Sequence, residues 1–236
     1  MVRPIILTTL NRRKYFLNSL NSLEKSNCDL SNLTIYDDCS TDKDKIDALK
    51  EVSKTHKVVI RQKNLGTFRN TTFAIEECYN SNDENMVFLQ DDIILSKNWL
   101  LNGYQIYNEL SSRHHVSFLS LFNRDQKCEK KYYIMRMGHP GGVAWIINRN
   151  WWDRYRKLYK IGDYGLDKLK SNDKKTMNSS QVKNLVDYKL ASRAHDMNWV
   201  VARVGRSLVQ HIGDHSTISI RNMEQFRSKC FVGEDK

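Results

Sequence analysis

Three polar pairs in this chain follow short apolar runs: Thr8-Thr9 after Ile5-Ile6-Leu7, Asp37-Asp38 after Ile35-Tyr36, and Asp91-Asp92 after Val87-Phe88-Leu89 and the polar Gln90. Two adjacent carboxylates flanked by apolar residues are costly to bury unless a cation or hydrogen bonds compensate them. For Asp91-Asp92, Mg²⁺ or Mn²⁺ with phosphate oxygens completing the shell would meet that need. The competing reading is a solvated cap pair before the helix that opens after Ser96. Asp37-Asp38 can accept hydrogen bonds from a base N–H or from ribose hydroxyls, or can form a turn and helix cap. His211, after the strand-like Leu208 to Gln210 and beside Gly213, can offer a neutral imidazole nitrogen to a divalent cation. A structural histidine is the alternative there.

These groups need a scaffold that brings them together, and the first ninety residues supply one. Arg3 to Thr9, Leu33 to Tyr36, Val58 to Ile60 and Met86 to Leu89 read as strands. Helices are expected between and after them: one capped by Asn11 with Leu17, Leu20 and Leu23 at helical spacing, one capped by Thr41 or Asp42, and one over Thr67 to Cys78. Four such units predict an α/β fold with a mostly parallel central sheet flanked by helices. In such sheets ligands bind beyond the strand carboxyl ends, so the polar pairs converge on one crevice. The second half predicts a helix over about 97–110, strands at Val116 to Phe122, Tyr132 to Met137 and Val143 to Ile147, and a helix and loop over Tyr155 to Met177. A helix capped by Ser179 or Ser180 and two closing strands, Trp199 to Val204 and Leu208 to Gln210, complete it. With no repeat or low-complexity linker, 1–236 reads as one domain: a nucleotide-binding half (1–95), an acceptor-binding half (96–220) and a basic tail (221–236).

Thirty-eight Lys and Arg against 27 Asp and Glu give a net charge of +11. That balance suits a phosphorylated substrate, an anionic membrane surface or nucleic acid, with a solvated basic surface that keeps the protein in solution as the alternative. The basic residues are scattered and no nucleic-acid-binding motif accompanies them, which makes nucleic acid the weakest of the three. Five cysteines, at 28, 39, 78, 128 and 230, are widely spaced and form no CxxC pair, so neither a disulfide framework nor a thiolate metal site is expected. No segment has the length of a membrane span or the form of a signal peptide. A cytoplasmic protein, peripheral to a membrane at most, is the expectation.

Several segments resemble the GT-A glycosyltransferases of family 2 and their relatives. Ile35 to Asp42 (I-Y-D-D-C-S-T-D) resembles their V-x-D-D-x-S-x-D segment, and Thr9-Leu10-Asn11-Arg12 their T-Y-N-R opening. Asn64 to Asn70 is similar to N-x-G-x-x-x-A/N, Gln90-Asp91-Asp92 to the D-x-D or E-D-D motif, and Leu208 to Gly213 to the C-terminal histidine segment. Five motifs occur in the family's order across residues 4 to about 215. The resemblance implies a GT-A fold and transfer of a sugar from a nucleotide diphosphate, a UDP-sugar, to a hydroxyl on a glycan or lipid-linked acceptor.

It also implies roles. Thr8, Asn11, Arg12, Asp37, Asp38, Asn64 and Arg69 would line the nucleotide site, with Asp38 meeting the base. Asp91 would hold the ribose, and Asp92 and His211 the Mn²⁺ or Mg²⁺. Gly142, in the loop from Gly138, would let backbone approach the donor sugar. The base that accepts the acceptor's proton would be Asp187, with Asp196 the runner-up. Trp145, Trp151, Trp152 and Trp199 are candidate platforms for acceptor sugars, with core packing as the alternative. Three positions depart from the pattern: Leu10 where an aromatic often stands, Gln90 for the first acid, and Val186 where many relatives carry the acid before the base. A nucleotide-sugar-binding protein without turnover is the rival reading.

Overall fold

Alternation of side chains along short strands builds a two-faced sheet. In the computed structural model, which describes residues 3–79, 83–124, 128–135, 141–158, 186–213 and 227–233, ten strands and six helices are formed. The strands are β1 (Ile5–Thr9), β2 (Leu33–Asp37), β3 (Lys57–Ile60), β4 (Asn85–Gln90), β5 (Ile93–Leu95), β6 (Val116–Ser120), β7 (Tyr132–Met135), β8 (Ala144–Asn148), β9 (Val200–Val204) and β10 (Val209–His211). The helices are α1 (Arg13–Glu24), α2 (Lys43–Val52), α3 (Thr67–Cys78), α4 (Trp99–Ser111), α5 (Arg149–Leu158) and α6 (Val186–Asp196). Eight strands make one sheet in the order β3-β2-β1-β4-β8-β6-β9-β7, and β10 pairs with β5 separately. The β3-β2-β1-β4 half is parallel throughout. β8 runs antiparallel to both β4 and β6, β9 lies parallel to β6, and β7 closes antiparallel on β9.

Period-two alternation divides the core into two. Ile5, Leu7, Leu33, Ile35, Val87 and Leu89 pack with Phe16, Leu20 and Leu23 of α1, Leu49 of α2 and Trp99 and Leu110 of α4. Ile6, Tyr36, Met86 and Phe88 face the other way, onto Ala74 and Ile75 of α3, Trp151, Trp152 and Tyr155 of α5, and Leu190 and Ala194 of α6. Both faces are thus covered by helices, as a largely parallel sheet requires.

Several expectations change. Asn11 does not cap α1: it and Arg12 both adopt left-handed backbone (φ 49° and 47°), and Arg12 occupies the cap position without a side-chain bond to the first turn of the helix. Asn11 Oδ1 instead accepts from the amides of Thr41 and Asp42, while Asp42 caps α2 through the Lys45 amide. The helix expected from Tyr155 is α5, which starts earlier, on Arg149; the rest of the expected helix and loop, after Leu158, and the Ser179 or Ser180 cap lie outside the described residues. Trp145, Trp151 and Trp152 are fully buried and Trp199 nearly so, each packed in or against the second core, so they are core residues and not sugar platforms. The cysteine reading also fails. Cys128 and Cys230 form a disulfide across a sequence separation of 102, which spacing alone could not reveal, and the argument for a reducing compartment loses that support. The bond straps residues 227–233 beside β10, where Ser228 and Gln210 exchange two hydrogen bonds and Cys230 O accepts from the Ser207 amide. Among the described residues no helix is long and apolar enough to cross a membrane.

Candidate active site

The register of β1, β2 and β4 brings the polar pairs together. Thr9 stands opposite Asp37 and Thr8 opposite Gln90, so β1 and its two neighbours end at the same edge of the sheet. From there the chain does not enter a helix after Asp91-Asp92. It forms β5 first and α4 only from Trp99, so the acid pair caps no helix. Two serines of α1 hold β5: Ser19 Oγ accepts from the Ile93 amide at 2.9 Å and donates to its carbonyl at 2.8 Å, and Ser22 Oγ accepts from the Leu95 amide. β10 then pairs antiparallel with β5, placing His211 opposite Ile93, and the Ile212 amide bonds to Asp92 O at 2.8 Å. His211 Nε2 consequently lies 3.3 Å from Asp92 Oδ2.

Asp91 and Asp92 are both buried, at 2% and 5% exposure, and two cations compensate them. The Arg12 guanidinium forks across the pair, Nη2 to Asp91 Oδ1 at 2.6 Å and Nη1 to Asp92 Oδ2 at 2.9 Å. The other cation comes from α2. Lys45 on α2, fully buried, places its Nζ over the Phe16 ring and donates to Thr9 Oγ1 at 2.6 Å; Thr9 in turn donates to Asp91 Oδ2 at 2.5 Å. In sequence Lys45 sits in the run Lys43-Asp44-Lys45 and reads as an exposed helix charge; only the packing of α2 on α1 distinguishes it. Burial brings its pKa down to about 7, although Asp91 and Asp37 favour its charged form. Burial likewise pushes Asp91 upward against Arg12. For Asp92 burial acts in the same upward sense but is outweighed by His211 and Arg12, which hold that carboxyl below the usual range.

The second acidic pair divides its roles. Asp37 spends its carboxylate within its own turn, accepting from the Ser40 amide at 2.7 Å and the Ser40 hydroxyl at 2.5 Å. Asp38 reaches across to the loop before α3, accepting from the amides of Leu65 and Gly66 at 2.7 and 2.9 Å. Burial raises the Asp38 pKa against those two bonds. Gly66, at φ 80°, is the N-cap of α3, and Asn64 Oδ1 also accepts from its amide. Arg69, partly buried, lies in the first turn of that helix. Thr8 Oγ1 is 3.4 Å from Leu89 O.

At the other side of the crevice, the Gln90 amide bonds to Val143 O, which fixes Gly142 beside the end of β4. A Cβ on Gly142 would lie 3.6 Å from Asp187 Cγ, and Asp187, in the first turn of α6, is 5% exposed. Asp196 is elsewhere. It closes α6 about 13 Å further along the helix axis, is exposed, and pairs with Arg193. β9, which follows it, runs parallel to β6 and so begins at the edge where β4 begins, opposite Asp91-Asp92. The structure therefore brings Thr8, Asn11, Arg12, Asp37, Asp38, Asn64, Arg69, Asp91, Asp92, Gly142, Asp187 and His211 to one edge of the sheet and leaves Asp196 at the other.

Among the described residues no three His, Cys, Asp or Glu side chains converge as a metal shell. Asp92 and His211 do converge. Asp92 Oδ1 and His211 Nδ1 are buried without a hydrogen-bond partner. A Cβ on Gly213 would stand 2.8 Å from Asp92 Oδ2 and 3.2 Å from His211 Nε2, so only glycine leaves that approach free. One carboxylate and one imidazole suit a divalent cation whose remaining ligands come from a diphosphate and water.

An open α/β sheet with an acid pair at the end of β4, and a histidine delivered to it by a separate two-stranded ladder, defines the GT-A fold of nucleotide-diphospho-sugar transferases. Residues 5–169 match the family model of glycosyl transferase family 2, and the chain belongs to that family. No curated protein matches it. Among solved structures it is similar to the mannosyltransferase PcManGT from Pyrobaculum calidifontis in complex with GDP-Man and Mn²⁺ (14% identity, TM-score 0.57, 85% of this chain and 55% of that one). It is also similar to S. aureus TarS 1–349 in complex with UDP (19% identity, TM-score 0.52, 86% and 61%). At these identities the likeness is one of fold, and the chain spans little more than half the length of either structure.

Proposed function

We propose that this protein transfers a sugar from a nucleoside diphosphate donor to an acceptor hydroxyl, with a divalent cation, Mn²⁺ or Mg²⁺, held by Asp92 and His211. The observation that carries this reading is the Asp92–His211 pair at the mouth of the sheet, with an unpartnered carboxylate oxygen and an approach kept open by Gly213. Asp91 takes the ribose, and Asp38 with Thr8, Asn64 and Arg69 takes the nucleoside. The bound cation supplies Lewis-acid neutralisation of the charge that grows on the leaving diphosphate. Asp187, buried beside Gly142, accepts the proton of the attacking hydroxyl as the new C–O bond forms and the sugar–phosphate bond breaks towards the diphosphate. A base in this position implies inversion at the anomeric carbon. The acceptor is a hydroxyl of a glycan or of a lipid-linked sugar.

UDP is the donor nucleotide to test first and GDP the second, since the two similar structures hold one each. Calorimetric titration of the wild type with UDP should give binding only when Mn²⁺ is present, and Asp92→Ala should abolish it. Failure of UDP and GDP to bind, with or without Mn²⁺, would remove the transferase reading. Metal-dependent binding without turnover on any acceptor would favour the nucleotide-sugar-binding alternative.

A further inference from the structure

The fork of Arg12 across Asp91 and Asp92 has a consequence for how metal reaches this site. Arg12 is aimed by two consecutive left-handed residues, a costly backbone for non-glycine residues that persists only when neighbours enforce it. The enforcement is visible. The Asn11 amide donates to Ser40 Oγ at 2.6 Å, and the Asn11 side chain is pinned to the turn before α2. From there the guanidinium reaches both carboxylates, and on Asp92 it bonds Oδ2, the same oxygen that faces His211. A guanidinium carries its charge at every working pH. Among the described residues no other Lys or Arg lies within ion-pairing distance of Asp92. A divalent cation seated between Asp92 and His211 would lie against that guanidinium, and two like charges at such separation in a buried site repel strongly. Arg12 also keeps a buried Nε with no hydrogen-bond partner, and a planar guanidinium is suited to fork onto phosphate oxygens.

We propose that Arg12 is a place-holding cation: it occupies the acid pair in the free protein, opposes binding of a divalent cation alone, and transfers to the diphosphate when cation and nucleotide enter together. The transfer rests on the donor reading above; the opposition to the cation does not. The consequence is strong positive coupling between cation and nucleotide, each binding poorly without the other.

The test is Mn²⁺ binding, read as free Mn²⁺ by electron paramagnetic resonance, on wild type, Arg12→Met and Arg12→Lys, with and without UDP. Without nucleotide, Arg12→Met should bind Mn²⁺ about tenfold more tightly than wild type or better, Arg12→Lys falling between. UDP should tighten Mn²⁺ binding far more in wild type than in Arg12→Met. Equal or weaker Mn²⁺ binding by a folded Arg12→Met, with folding checked by circular dichroism, would overturn the proposal. Should that variant not fold, Arg12→Lys decides: Mn²⁺ bound without UDP no more tightly by a folded Arg12→Lys than by wild type sinks the idea. If UDP affects no variant while Arg12→Met still gains Mn²⁺ affinity, the donor reading fails and the opposition between Arg12 and the cation stands.

Discussion

Asp187 and Lys45 are both buried acid–base groups near the crevice, and substitution separates their roles. Replacing Asp187 by Asn keeps its shape beside Gly142 and removes its basicity. The expected result is a kcat lower by about 100- to 10,000-fold with UDP affinity unchanged, read by steady-state kinetics and calorimetry. Loss of UDP binding as well would place Asp187 in the donor site instead. Lys45 is testable through pH. Its folded-state pKa of about 7 lies below the ordinary lysine value of 10.5, so between those limits the unfolded chain holds the extra proton. Wild-type stability should therefore rise relative to Lys45→Met as pH increases from 7 to 10.5, and the difference should be flat below 7, measured by urea unfolding. A difference that does not change with pH would mean the lysine titrates as if exposed. Neither group announces itself in the sequence. Asp187 was reachable only through family resemblance, and Lys45 not at all, because burial of a polar side chain is a property of tertiary packing.

Helix α1 does more than cover the sheet: Ser19 and Ser22 clamp β5, which carries Asp92 to His211. Ser19→Ala would strand a buried amide and carbonyl of Ile93, at a cost of about 1–3 kcal/mol in unfolding free energy. Under the proposed function it should also weaken Mn²⁺-dependent UDP binding, because the ladder between β5 and β10 sets His211 beside Asp92. Unchanged unfolding and binding would show that the β5–β10 pairing suffices alone. The elements most legible in the sequence were those with strong local signals: α3 over Thr67–Cys78 and the four leading strands, each an apolar run ended by a turn or cap. β5 has three residues and so no period to read. α5, in the stretch Arg149–Leu158, hides its apolar face in two adjacent tryptophans and one tyrosine among charged residues. The left-handed entry to α1 violates the usual capping chemistry at Asn11, and such violations concentrate where function dictates the backbone.

On the scale of the whole chain, a division into residues 1–95 and 96–220 cuts through the sheet. β8, from the later half, is hydrogen-bonded along β4 from Asn85 to Leu89, and Phe88 stacks on Trp145 across that seam. The order of strands was not legible beyond the leading parallel units, because nothing local in Ala144–Asn148 says that it inserts next to β4 and not at the sheet's edge. Insertion there has a practical consequence for dissection of the molecule. A fragment ending at residue 95 would carry β4 as a bare edge, apolar on both faces and free to pair with another copy, the arrangement that natural sheets avoid. Expressed alone, residues 1–95 should aggregate, while the same fragment co-expressed with 96–236 should be recovered as a soluble complementation pair; a monodisperse, soluble 1–95 on size exclusion would contradict this. Any exchange of C-terminal halves between relatives therefore has to carry a matched β4–β8 seam, since a splice just after the acid pair is also a cut through the sheet.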